Sequence, residues 1–397
     1  MIIEPRMRGF ICLTSHPEGC LKNVQNQINY VKSNGKTENG PKKVLVIGAS
    51  TGFGLASRIV SAFGSDAATI GVFFEKAPTE GRTASPGWYN SAAFEQEAKK
   101  AGIYAKSING DAFSDEIKRQ TLDLIKKDLG KIDMVIYSLA SPVRLHPKTG
   151  VLHRSTLKPI GQKYTNKTVD FHTGKVTEVS IEQANEEDIT NTIAVMGGED
   201  WKFWMEALKQ EDLLEKGATT IAYSYIGPSL TEPVYRKGTI GKAKDDLEAT
   251  SFEIEKLLQD LNGKSFVSVN KALVTQASSA IPVIPLYISL LYKIMKENVT
   301  HEGCIEQIQR LFKERLFNGD SIPVDEKGRI RIDDLEMRDL VQSEVAKLWD
   351  AADTETLPEL GDLNGYKQDF LNLFGFGFDG VDYLKDTNEM VSVESII

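Results

Sequence analysis

Short apolar runs rich in β-branched residues recur along the chain, separated by polar segments with helical spacing. The six clearest runs cover residues 43–48, 68–74, 102–108, 132–139, 219–225 and 265–269. Between the first two runs, residues 55–63 place apolar side chains at the interval of an amphipathic helix. Nearly continuous apolar strands that alternate with such helices are typical of a parallel sheet covered on both faces. The pattern therefore predicts a doubly wound α/β fold with a Rossmann-type parallel sheet.

Several segments of the chain do not fit a simple alternation of strands and helices, and these segments define its expected organisation. We expect one large domain over residues 1–397, beginning with an N-terminal cap at 1–42. Residues 77–92 and 141–200 are expected insertions after the second and fourth strands, and 298–397 a mostly helical C-terminal extension. Ligands of open α/β sheets bind beside the carboxyl ends of the strands. The two insertions are therefore expected near the substrate side of the site.

Composition and charge exclude several classes of protein. The chain has 41% hydrophobic and 26% charged residues, near the averages of soluble globular proteins, which argues against a disordered or collagen-like chain. Its net charge is −9 and it has no lysine or arginine block, so we expect no nucleic-acid partner. Residues 272–292 carry no charge, but Pro282 and Pro285 interrupt them. We therefore expect a buried segment and no membrane span.

The cysteines indicate the compartment and bear on metal binding. Cys12, Cys20 and Cys304 form no Cys-x-x-Cys pair, which favours a reducing compartment, the cytoplasm. Together with His16 and His301 they lack the closely spaced pairs that structural zinc sites use. We therefore expect no metal centre.

The first strand ends in a glycine-rich turn that precedes a helix. The turn reads Gly48, Ala49, Ser50, Thr51, Gly52, Phe53 and Gly54. Glycines at such a turn let backbone N–H groups at the helix N-terminus approach a pyrophosphate. A purely structural strand-to-helix turn is the alternative, since glycine patterns of this kind also occur by chance.

An acidic residue follows the second strand, where the sequence reads Phe74-Glu75. A carboxylate at this position of a dinucleotide fold accepts hydrogen bonds from the adenosine ribose hydroxyls and repels a 2′-phosphate. The sequence therefore predicts NADH (NAD+) as the cofactor, preferred over NADPH. The alternative interpretation of Glu75 is a solvated surface glutamate.

The ends of the next two strands supply further candidates for the cofactor site. Asp111 and Ala112 follow the third strand, where the aspartate can meet the adenine amino group. Asp111 could also cap the helix that begins near Ser114. Leu139 and Ala140 end the fourth strand, where small residues let the nicotinamide ribose lie against the backbone.

A tyrosine and a lysine with an unusual spacing, Tyr235 and Lys244, have eight residues between them. They are accompanied by the segments SPGWYN at 85–90, MGGEDW at 196–201 and AYSYIG at 222–227. With the glycine-rich turn, these features resemble, essentially from end to end, the V-type enoyl-ACP reductases and trans-2-enoyl-CoA reductases. That family belongs to the short-chain dehydrogenase/reductase superfamily, whose typical members have three residues between the pair, whereas many bacterial enoyl-ACP reductases have six.

The resemblance implies NADH-dependent reduction of the trans-2 double bond of an enoyl-CoA or enoyl-ACP, with Tyr235 and Lys244 as the catalytic pair. A tyrosine with a pKa near its reference value of about 10 is protonated at neutral pH and can donate to the developing enolate. Ile240, Ala243 and Leu247 share the helix face of Lys244, which predicts that the lysine side chain points inward. We expect its positive charge to lower the pKa of Tyr235. Lys242 lies on another helix face. In the family a tyrosine matching Tyr225 contacts the substrate, which makes it the rival proton donor.

The segment Leu273, Val274 and Thr275 resembles the last cofactor-contacting segment of the family. The apolar run that follows it either lines the acyl-chain pocket or forms a core helix, since periodicity does not separate the two. A carbonyl reductase with the same Tyr–Lys pair and an NAD-sensing protein without turnover remain alternatives. The insertions could cover surfaces that superfamily members use to form tetramers, which favours a monomer. The sequence does not distinguish CoA from ACP as the acyl carrier.

Overall fold

The computed structural model describes residues 1–9, 11–319 and 321–396, with the backbone alone at 280. Its centre is a parallel sheet of seven strands in the order β13-β12-β11-β6-β3-β4-β5. The strands of the described chain are β1 (Met7–Arg8), β2 (Ile11–Cys12), β3 (Lys43–Ile47), β4 (Ala68–Phe73), β5 (Ala105–Asn109), β6 (Ile132–Tyr137), β7 (Val143–Leu145), β8 (Leu152–Arg154), β9 (Tyr164–Asp170), β10 (Lys175–Ile181), β11 (Leu214–Ser224), β12 (Lys264–Val269) and β13 (Ile330–Arg331).

Helices follow most strands of the sheet, as the alternating pattern predicts. They are α1 (Pro17–Ser33), α2 (Gly52–Ile59), α3 (Pro86–Lys100), α4 (Asp115–Asp128), α5 (Glu186–Met196), α6 (Glu199–Gln210), α7 (Thr239–Leu257), α8 (Ile284–Glu297), α9 (Cys304–Arg310), α10 (Asp339–Ala351), α11 (Leu357–Leu360) and α12 (Leu363–Asn372). Both α2 and α9 continue into a turn of π-helix.

Successive side chains of the central strands enter two different cores, one on each face of the sheet. In β3, Val44 and Val46 pack with α1, α2 and α9. Leu45 and Ile47 point the other way and pack with α4, α6 and α7. Because both faces are buried, the strands are apolar at nearly every position. The predicted doubly wound α/β class is confirmed.

The structure corrects some boundaries that the sequence predicts. Residues 77–92 were expected to be a loop-like insertion, but α3 begins at Pro86, a residue type favoured at the first helical position. Residues 141–200 form two hairpins, β7–β8 and β9–β10, then α5 and the start of α6. The edge strand β13 was not predicted, because its two residues are too short to give a pattern.

Most of the apolar run after residue 275 is a core helix. Leu286, Leu290 and Leu291 of α8 are completely buried among α10, α12 and β9. Gln276, Ala277, Ile281 and Tyr292 border the large cleft described below. Among the described helices, none combines the length and apolarity that a membrane crossing requires.

Candidate active site

A cleft of about 1920 Å³ runs along the carboxyl ends of the central strands. It is lined by every residue that the sequence proposes for the site except Ala49, namely Gly48, Ser50, Thr51, Gly52, Phe53, Phe74, Glu75, Asp111, Ala112, Leu139, Ala140, Tyr225, Tyr235, Lys244, Leu273, Val274 and Thr275. Ala49 is fully buried beneath the turn. Its backbone N–H donates to the Val72 carbonyl over 3.0 Å, so it is not free to bind a phosphate.

The turn between β3 and α2 is built around two close approaches of the backbone. Gly48 has a φ of +86°, and a Cβ added there would lie 2.1 Å from the Ser138 carbonyl oxygen. A Cβ at Gly54 would lie 1.9 Å from the Gly48 carbonyl oxygen. Helix α2 begins at Gly52, and no side chain of the described residues caps its first turn. Its first N–H groups are therefore available to an anion in the cleft.

Glu75 follows β4 and lies between this turn and α3. The Ser50 hydroxyl donates to Oε1 of Glu75 over 2.6 Å, and the Glu75 backbone N–H donates to Oδ1 of Asn109 over 2.8 Å. A Cβ at Gly87 would lie 2.0 Å from Oε1, so the first turn of α3 packs directly against the carboxylate. Burial raises the pKa of Glu75, and hydrogen bonds from Ser50 and Ser85 oppose that shift.

Asp111 does not cap the next helix. Ser114 is the N-cap of α4, and its hydroxyl accepts a hydrogen bond from the Ile117 N–H. The Asp111 carboxylate accepts the Phe113 N–H over 3.0 Å and remains half-buried at the cleft. The capping interpretation is therefore wrong, because a serine three residues later takes that position.

Lys244 lies on α7 and points into the protein, as its neighbours predict. Its side chain shares a buried face with Ile240, Ala243 and Leu247, and its ammonium donates to the Tyr223 carbonyl over 3.1 Å. Burial lowers the pKa of Lys244 to about 8, a shift that the nearby Glu248 carboxylate opposes. Lys242 lies on the exposed face and pairs with Asp245 over 3.8 Å.

Tyr235 and Tyr225 form an aromatic pair at the cleft. Their rings are nearly perpendicular, with centroids 4.8 Å apart. Burial raises the pKa of Tyr235 to about 12. The expectation that Lys244 lowers this pKa is wrong, because desolvation dominates and the lysine donates to a backbone carbonyl. Tyr235 is therefore protonated at neutral pH, and no described residue takes part in a hydrogen bond with its hydroxyl.

The residue beneath Tyr225 is not among those that the sequence predicts for the site. The Tyr225 hydroxyl donates to Oε1 of Glu336 over 3.2 Å, and Glu336 is completely buried between β13 and α10. The two residues are 111 positions apart, and Glu336 lies in no recognisable motif. A contact between such distant segments leaves no local signal in a single sequence.

Cys12, Cys20 and Cys304 are all free thiols. In the described ranges, no three histidine, cysteine, aspartate or glutamate side chains converge in a way that could hold a metal ion. His301 packs its ring on Tyr292, with centroids 4.4 Å apart.

The fold and the cleft define a class of protein. The site combines a helix N-terminus open to an anion, a carboxylate after the second strand of the βαβ unit, and a buried lysine and a protonated tyrosine that line one cleft. These are the parts of a dinucleotide-dependent reductase of the short-chain type. Comparison with known families identifies the group within this class. A family model described as the catalytic region of trans-2-enoyl-CoA reductase matches residues 82–317, and the chain belongs to this family.

Two further family models match the rest of the chain. The NAD(P)H binding domain of trans-2-enoyl-CoA reductase matches residues 2–80, and the enoyl reductase FAD binding domain matches 324–387.

Named relatives include both kinds of acyl carrier. The chain is 77% identical to the enoyl-[acyl-carrier-protein] reductase [NADH] of Flavobacterium johnsoniae and 60% identical to the trans-2-enoyl-CoA reductase [NADH] of Ruminiclostridium cellulolyticum, each over the full length of both chains. The crystal structure of Treponema denticola trans-2-enoyl-CoA reductase in complex with NAD shares 52% identity. It superposes with a TM-score of 0.95 over 98% of each chain.

The residues of segment 324–387, all of them described, do not fit a flavin of their own. Apolar side chains of α10 and α12, including Val345, Trp349 and Phe370, already pack into the core around α8. The strand β13 is not followed by a glycine-rich turn of the kind that holds a dinucleotide. Of this segment, only Asp369, Asn372, Leu373 and Phe374 line the cleft. We therefore assign no chemical step to a flavin.

Proposed function

We propose that this chain reduces the trans-2 double bond of enoyl thioesters to the saturated acyl thioester, with NADH as the preferred cofactor. The observation that carries the proposal is one cleft lined by Glu75, Tyr235 and Lys244. The names of the two relatives, which specify NADH, support the choice of cofactor.

The cofactor site is proposed to consist of the glycine-rich turn and the segments that follow β4, β5, β6 and β12. The first N–H groups of α2 bind the pyrophosphate. Glu75 accepts the adenosine ribose hydroxyls, Asp111 meets the adenine, and Leu139–Ala140 lie along the nicotinamide ribose. Lys244 donates to that ribose, and the 273–275 segment contacts the carboxamide. When bound, NADH supplies the hydride that adds to Cβ.

The protein's own contribution is to stabilise the charge that then develops on the substrate. Hydride addition at Cβ places negative charge on the thioester oxygen as an enolate. Tyr235 is protonated and its hydroxyl is free, so it donates to that oxygen in the cleft. Tyr225 packs against Tyr235 and contacts the substrate. Protonation at Cα then completes the reduction.

The remaining features are proposed from the sequence. The chain acts as a single domain and a monomer in the cytoplasm, where its free thiols stay reduced. The hairpins of 141–200 border the substrate side. An enoyl-CoA or an enoyl-ACP is the substrate, and no nucleic acid or membrane takes part.

Loss of NADH absorbance on addition of crotonyl-CoA tests the proposal. We expect turnover with crotonyl-CoA or with a crotonyl-ACP, and much slower turnover with NADPH. Ketones that oxidise NADH while both enoyl thioesters do not would instead identify a carbonyl reductase. NADH binding without consumption by any of these substrates would indicate a sensing protein.

A further inference from the structure

A buried carboxylate holds the polar end of Tyr225 from behind the cleft. Tyr225 and Tyr287 both donate to Oε1 of Glu336, over 3.2 and 2.7 Å, and the Ala272 N–H donates to Oε2 over 2.8 Å. Gln342 donates to the Tyr287 hydroxyl and to the Glu336 carbonyl. Each carboxylate oxygen therefore has a defined partner, and the group has little freedom to move.

The charged surroundings of Glu336 are equally well defined. The Lys271 ammonium, itself buried, donates to the Ala272 carbonyl over 3.0 Å. Its charge favours the ionised carboxylate, whereas burial and the nearby Asp333 raise the pKa of Glu336. Asp333 is in turn paired with Arg331 over 2.7 Å.

Only one of the two tyrosines that meet Glu336 belongs to the cleft. Tyr225 lines it, whereas Tyr287 is completely buried in the core behind it. The Tyr225 hydroxyl has the Thr231 and Tyr287 side chains as further polar neighbours, and the Thr231 hydroxyl donates its own hydrogen to the Pro228 carbonyl. Of the hydrogen bonds between described residues, the one to Glu336 has the Tyr225 hydroxyl as its donor, so Glu336 sets the direction of the Tyr225 O–H bond.

We propose that Glu336 is a positioning residue for the reduction and acts through Tyr225. By accepting the hydroxyl hydrogen of Tyr225, it turns that hydrogen away from the substrate oxygen and locks the ring that packs against Tyr235. Tyr235 is thereby left as the proton donor, with its own ring held in place. This inference rests on the proposed function and gives the C-terminal extension a direct part in it.

A double-mutant cycle on kcat with crotonyl-CoA tests this inference. Glu336→Gln keeps the shape of the side chain but has a single acceptor oxygen. That oxygen can accept either from the two tyrosines or from the Ala272 N–H, so one of these contacts is lost. We expect kcat to fall roughly tenfold, the scale of a hydrogen bond to a charged group, while KM for NADH stays unchanged. In the Tyr225→Phe background the same substitution should cost nothing further, because Glu336 acts through that hydroxyl.

Glu344→Gln is the matched control, since it neutralises a carboxylate of α10 that pairs with Lys347 over 2.7 Å and does not line the cleft. We expect it to leave kcat near the wild-type value. If Glu336→Gln does not fold, as judged by circular dichroism, Glu336→Asp takes its place in the cycle, because the shorter side chain withdraws from Tyr225.

Two results would overturn the inference: equal losses from Glu336→Gln with and without the Tyr225 hydroxyl, or an equal loss from Glu344→Gln. Either result would assign Glu336 a structural role. Failure of the wild type to reduce any enoyl thioester would instead overturn the proposed function, so the two failures are distinguishable.

Discussion

At the scale of single residues, the proposed reduction depends most on the hydroxyl of Tyr235. We expect Tyr235→Phe to lower kcat about 100- to 10,000-fold, the usual contribution of a positioned proton donor. NADH affinity should stay close to wild type, because the hydroxyl acts on the developing enolate. Steady-state kinetics and NADH fluorescence titration measure the two quantities. Tyr225→Phe should be the milder variant, and the opposite order would make Tyr225 the donor.

Lys244 gives the enzyme a defined dependence on pH. Burial lowers its pKa to about 8, so the ammonium is charged below that pH and neutral above it. NADH affinity should therefore decline as the pH rises through about 8, since the neutral amine is a weaker donor to the ribose. Arginine stays charged throughout this range, so Lys244→Arg should show no such decline. Titrations at several pH values check both proteins, and Lys242→Ala, on the exposed face, should behave as wild type.

Glu75 connects the structure to cofactor choice. In the proposed cofactor site, the carboxylate that accepts from Ser50 attracts the adenosine ribose hydroxyls and repels a 2′-phosphate, and like charges in such contact cost several kcal/mol. Glu75→Ala should weaken NADH use and improve NADPH use, shifting the ratio of their kcat/KM values by roughly tenfold or more. An unchanged ratio would place the adenosine ribose elsewhere.

At the scale of elements, the β3–α2 turn depends on the absence of one side chain. Gly54→Ala would bring a Cβ to 1.9 Å from the Gly48 carbonyl, so the turn must open, at a cost of about 1–3 kcal/mol. We expect a lower thermal midpoint and a marked loss of NADH affinity. Gly64→Ala, at the end of the same helical segment, is the control. Its Cβ would meet Val31 at an ordinary 3.4 Å, so both properties should be retained.

The elements that the sequence predicts are those with a repeating local pattern. Six strands of the sheet stand out because both faces are buried, and Lys244 points inward because Ile240, Ala243 and Leu247 mark its helix face. The edge strand β13 and the anchor Glu336 were missed for a different reason. Both depend on contacts between distant segments, β13 with β12 and Glu336 with Tyr225. The pKa of Tyr235 was misjudged because desolvation is a property of the packed site.

At the scale of the whole molecule, the C-terminal extension completes the sheet and the site. It adds β13 to the sheet edge, packs α10 and α12 around α8, and places Glu336 behind Tyr225. We propose that this assembled cleft directs hydride to a carbon–carbon double bond.

Isotopic labelling shows which carbon receives the hydride. The wild-type enzyme is given crotonyl-CoA and NADH dideuterated at C4 of the nicotinamide, and the acyl product is analysed by mass spectrometry and NMR. A parallel reaction uses unlabelled NADH in D₂O. We expect one deuterium at Cβ of the butyryl product in the first reaction and one at Cα in the second. Deuterium from the cofactor at Cα, or on an alcohol carbon in place of the reduced double bond, would contradict the proposal.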